Sequence, residues 1–92
     1  MTKKEFDSRK SEIKTLKEQG KIEDAIDLLC DFVRELHSDK NYTFIAELYR
    51  KDFLGLRDTL MSFEVAYALN EQGFKADAEE VYDTFVSNEP KN

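Results

Sequence analysis

Apolar residues recur along this chain at intervals of three and four, and no stretch alternates with the period of a strand. Phe6, Ile13 and Leu16 mark a narrow stripe on a helix expected over residues 3–18. Ile22, Ala25, Ile26, Leu29, Phe32, Val33 and Leu36 mark a broad face over residues 22–36. A third helix is expected over residues 42–52, with Phe44, Ile45, Leu48 and Tyr49 turned inward. The fourth, over residues 58–72, carries Leu60, Phe63 and Tyr67 on one side and Met61, Val65, Ala68 and Leu69 on the other. At about 100° per residue this is apolar surface on both sides, the mark of a helix buried between neighbours. A fifth begins at Lys75, with Val81, Tyr82, Phe85 and Val86 as its stripe and Pro90 closing it.

Breaks fall where the backbone needs them. Gly20 and Gly73 suit left-handed caps that end a helix. Ser38-Asp39-Lys40-Asn41 reads as a turn, and Gly55 interrupts the third and fourth helices. A single bent helix over residues 42–72 is the alternative there, because one glycine costs only about 1 kcal/mol in a helix interior. The pattern predicts an all-α fold of about five antiparallel helices in one domain, residues 1–92.

The chain also matches itself. Leu16-Lys17-Glu18-Gln19-Gly20 reads against Leu69-Asn70-Glu71-Gln72-Gly73, Asp24-Ala25 against Asp77-Ala78, Leu29 against Tyr82, and Phe32-Val33 against Phe85-Val86. Small residues at Ala25, Ala66 and Ala78 let paired helices approach closely, and glycine permits the tight turn between them. These residues resemble the tetratricopeptide repeat, a helix–turn–helix unit of roughly 34 residues. Ala66 stands at that family's small position and Leu69 at its aromatic position, while Ala78, Tyr82 and Pro90 match the A-x3-F…P half of its pattern. Ile13, Leu16, Gly20, Ala25 and Leu29 match in the first copy, where His37 replaces the expected proline. Both copies lack the early Trp-x2-Leu pair, having Arg9 and Glu12 or Ser62 and Val65 instead. The resemblance implies repeat-like hairpins over residues 6–39 and 59–92, with an insert over 40–58.

Composition narrows the function. A net charge of −6 argues against nucleic acid as a direct partner, since phosphate binding relies on clustered Lys and Arg. One cysteine, Cys30, excludes an internal disulfide and fits a reducing cytoplasm. No apolar run approaches the ~18 residues of a membrane span, and no secretory signal is visible. No catalytic residue, cofactor site or metal site is expected. There is one histidine, His37, at a helix end where it can meet terminal carbonyls, and Cys30 reads as a small hydrophobe flanked by Asp27 and Asp31.

Two features point to binding. Lys10, Lys14 and Lys17 line up at helical spacing, and the resemblance implies that this side of the first helix is concave and faces ligand; lysines there suit an acidic peptide or a terminal carboxylate. In the same register Leu60, Phe63, Tyr67 and Asn70 face the concave side as aromatic anchors beside a polar residue. The expected function is therefore a non-enzymatic protein–protein interaction module, an adaptor or regulator that holds a peptide or partner helix on the face of helices 1 and 4. Two alternatives stay open. One is a homodimer or assembly subunit joined through Phe53, Leu54, Leu56 and Phe63. The other is an acidic inhibitor that mimics nucleic acid with Asp24, Asp27, Asp31 and Glu35.

Overall fold

A computed structural model describes residues 1–87, so Pro90 lies outside the described residues. The fold is all-α, with five helices: α1 (Lys3–Glu18), α2 (Ile22–Ser38), α3 (Tyr42–Arg50), α4 (Phe63–Glu71) and α5 (Lys75–Ser87). Two 3-10 turns, Phe53–Gly55 and Arg57–Leu60, connect α3 to α4. The start of α1 is set by Thr2, whose hydroxyl accepts from the Glu5 amide at 3.2 Å and donates to the Glu5 carboxylate. That arrangement satisfies one of the orphan N–H groups of the first turn.

Three helices end in one hydrogen-bonded motif. After α1, Gly20 donates to the Lys17 carbonyl and Lys21 to that of Leu16. After α2, Lys40 donates to His37 and Asn41 to Leu36; after α4, Gly73 donates to Asn70 and Phe74 to Leu69. Each is a Schellman cap with leucine three residues inside the helix end and one left-handed residue beyond it. Gly20 and Gly73 take that conformation at φ 80° and 85° without strain. Lys40 adopts it at φ 61° with a side chain attached. Because left-handed backbone costs an L-residue about 1–2 kcal/mol, Lys40→Gly is expected to stabilise the fold by about 0.5–1 kcal/mol after its entropic penalty. Urea denaturation reads this as a higher midpoint; a lower one would reject the strain at Lys40.

The fourth helix departs from expectation. The apolar pattern predicts a start at residue 58, whereas Arg57–Leu60 is a 3-10 turn and α4 starts at Phe63. Ser62 explains the break: its backbone is extended (φ −137°, ψ 164°), and its hydroxyl accepts from the Val65 amide at 3.4 Å. A serine that caps the helix from this geometry cannot also continue it. The third helix likewise stops at Arg50, and the bent helix over 42–72 does not form. Asp52 and Leu54 are both left-handed (φ 48° and 54°), which turns the chain back on itself. Arg57 holds this turn: its guanidinium donates to the Tyr49 and Arg50 carbonyls at 3.0 and 3.1 Å, closing the end of α3. Its amide donates to the Asp52 carboxylate at 3.0 Å.

The core is wholly apolar among the described residues. Phe6 of α1 is fully buried, stacks on Phe44 of α3 at 4.3 Å and meets Phe32 of α2 at 5.7 Å. One ring therefore joins three helices. Ala25 and Ala78, the expected small residues of the two hairpins, are both buried, at 0% and 7% exposure. Leu29, Leu36, Ile45, Leu48, Val65 and Leu69 fill the space between α2, α3 and α4.

Candidate protein-binding surface

The expected site residues separate into three groups. Leu60 goes to the core, at 2% exposure, because the 3-10 turn rotates it inward when the helix fails to extend back to residue 58. Lys10 and Lys17 are spent on intramolecular contacts. The Lys10 ammonium lies 3.5 Å from the Glu47 carboxylate of α3 and 4.6 Å from the centroid of the Phe6 ring. Lys17 donates to the Leu54 carbonyl in the first 3-10 turn. Lys14 alone of the three is exposed, with no ion pair among the described residues. The lysine side of α1 thus faces α3 and the α3–α4 connection. The proposed dimer residues Phe53, Leu54 and Leu56 are also packed against the core, which leaves only Phe63 of that set prominent.

Phe63, Tyr67 and Asn70 do come together, in a groove between α4 and α5. With Ala66 they form an i, i+3, i+4, i+7 row along α4. The opposite wall is α5, with Ala78 buried at the floor, Tyr82 exposed beside it, and Lys75, Glu79 and Asp83 also lining the groove. The groove has a volume of about 420 Å³. Phe63 and Tyr82 are 53% and 51% exposed and Tyr67 is 40% exposed, so three aromatic rings stand open to solvent along one furrow. The two alanines supply its depth, because a larger side chain at either would fill it.

Residues of the α5 wall were not expected there. The stripe Val81, Tyr82, Phe85 and Val86 divides: Val81 is buried and Phe85 half-buried, whereas Tyr82 and Val86 are exposed. The sequence signal was present in the Ala78–Tyr82 step of four residues, which sets a small residue beside a ring on one side of the helix.

The electrostatics of this hairpin are one-sided. Residues 63–87 hold Glu64, Glu71, Asp77, Glu79, Glu80 and Asp83 against Lys75 alone. Asp77 is engaged by Arg50 at 3.6 Å, but Glu71, Glu79 and Asp83 have no ion pair among the described residues. The Glu71 carboxylate beside Tyr67 raises the pKa of its phenol above the ordinary value. Behind the groove Tyr67 also packs edge-on against His37 and Tyr42, with centroids 5.5 and 5.4 Å away. Backing of this kind holds an exposed ring in one orientation. The imidazole Nε2 of His37 is buried there without a hydrogen-bond partner among the described residues.

A second cleft, of about 310 Å³, lies between α2, the second 3-10 turn and α5 and includes Cys30. Its thiol points at the Thr59 carbonyl, 4.0 Å away. Burial pushes the Cys30 thiol pKa up, against the pull of Arg34, and this works against thiolate reactivity. Among the described residues no group of three His, Cys, Asp or Glu side chains is placed to hold a metal ion, and no helix is long and apolar enough to cross a membrane. No protein-family model, curated protein sequence or solved structure compared with the chain matches it.

Proposed function

We propose that this chain is a non-enzymatic protein-binding module, an adaptor or regulator, whose recognition surface is the α4–α5 groove. The observation that carries this reading is the contiguous exposure of Phe63, Tyr67 and Tyr82 around a floor of Ala66 and Ala78. Exposed aromatics clustered over a concave apolar floor are the usual anchors of protein interfaces, and a domain of this size seldom leaves such rings uncovered without use. The groove runs along two helices, and this suits a helix laid between them. Two hairpins closed by the same cap at Gly20 and Gly73 support a tetratricopeptide-like arrangement, in which function resides in packed helix faces. A lone, half-buried thiol fits a cytoplasmic setting.

A photo-crosslinking amino acid at Tyr67 or Tyr82, with one at Lys14 as control, tests the surface in cells. Adducts to a partner protein are expected from the two groove positions and not from Lys14. Adducts from Lys14 alone, or from none of the three, would overturn the assignment. Tyr82→Asp is expected to abolish the Tyr67 adduct while the helical circular dichroism stays unchanged, because surface substitutions usually alter stability by less than about 0.5 kcal/mol.

A further inference from the structure

The chain contains its own example of how such a face is filled. The first hairpin presents to its neighbours the same positions that form the groove in the second. Ile13 and Ala66, Ala25 and Ala78, and Leu29 and Tyr82 are matched pairs in the internal repeat, and both hairpins are closed by the same cap. In the first hairpin this face is covered by residues 42–60. Glu47 of α3 meets Lys10 at 3.5 Å, the Leu54 carbonyl receives Lys17, and the Thr59 carbonyl sits 4.0 Å from Cys30. Leu29 is 0% exposed, whereas its counterpart Tyr82 is 51% exposed. No described segment covers the second face.

We infer that the occupant of the groove is an amphipathic helix of a partner protein with Lys and Arg flanking its apolar stripe; this rests on the groove being the recognition surface. The length and shape follow from α3 and its connection, a short helical segment that seats on a hairpin of the same build. The charge follows from complementarity. Where the first hairpin offers lysines to a carboxylate and a carbonyl, the second offers Glu79 and Asp83 on the rim and Glu71 beside Tyr67, with Lys75 the single cation. An acidic peptide would bring like charge to this rim.

The test uses the full chain and three synthetic 18-residue helices measured by fluorescence anisotropy. One has a Leu/Phe stripe with Lys/Arg flanks, one the same stripe with Glu flanks, and one Lys/Arg flanks with the stripe replaced by Gln and Ser. The basic amphipathic helix is expected to bind at least about tenfold more tightly than either of the others. Tyr82→Asp should remove that binding, and Glu79→Lys with Asp83→Lys should shift the preference toward the Glu-flanked helix. Equal or tighter binding of the Glu-flanked helix, still lost in Tyr82→Asp, would overturn the basic partner and leave the groove standing. Equal binding of the stripe-less helix, or binding that Tyr82→Asp does not change, would reduce the effect to general charge attraction and overturn the inference. Absence of binding by all three would count against the groove itself. A concentration-dependent dimer in sedimentation that Tyr82→Asp dissolves would assign the face to a second copy instead.

Discussion

Phe6→Ala is expected to lower the melting temperature by at least about 12 °C. Phe6 is fully buried, and its ring is the contact that ties α1 to both α2 and α3. Truncating a buried Phe to Ala typically costs about 3–5 kcal/mol, set against a total stability of about 5–15 kcal/mol for a domain of ordinary stability. The loss has two further parts. Lys10 and Lys3, whose ammonium groups lie 4.6 and 5.0 Å from the ring centroid, lose the aromatic face they cover. The α1 stripe is also narrow, with Phe6 and Ile13 as its only buried residues, so little remains to hold the first turns of α1 in place. Thermal unfolding followed by circular dichroism measures the effect. A shift below about 4 °C, the change due to about 1 kcal/mol, would mean that α1 does not depend on the Phe6–Phe44 stack.

The second large effect is a contrast between repeat-matched residues. Leu29→Ala should cost about 2–5 kcal/mol, whereas Tyr82→Ala should cost under about 1 kcal/mol despite the larger side chain removed. Both positions lie on the second helix of a hairpin, four residues after a buried alanine. Leu29 is fully buried, so its removal leaves a cavity. Tyr82 has protein on one side and solvent on the other, so its removal leaves a wider groove that water already enters. Urea denaturation of the two variants with a common m-value decides the matter. Equal costs would mean that the groove is closed in solution by something packed on Tyr82.

Helix number and placement were readable because they depend on local rules. Apolar spacing located α1, α2 and α5, and the leucine–glycine pairs at Leu16/Gly20 and Leu69/Gly73 marked two of the three Schellman caps. The third, at Lys40, carried a weaker signal because a lysine occupies the left-handed position. Ser62 was visible as a potential cap, but apolar periodicity continuous through Leu60 and Met61 concealed that its extended backbone ends the helix there. Of the candidate site, Phe63, Tyr67 and Asn70 were found because a row along one helix is a sequence property. Lys10, Lys17 and Leu60 were misplaced because their availability depends on what lies across from them.

The amino-acid order alone determined that this protein is all-α, that glycine ends two of its hairpin arms, and that Ala25 and Ala78 are buried. These follow from backbone propensity and side-chain periodicity, which act within a few residues. Only the tertiary structure decided which apolar faces are used up and which are left open. The 42–60 segment folds over the first hairpin, pairing Lys10 with Glu47 and Lys17 with the Leu54 carbonyl, while the equivalent face of the second hairpin retains its rings and its carboxylates. That difference arises because burial and charge pairing are set by the neighbour a face meets across space, and two matched stretches of sequence can meet different neighbours.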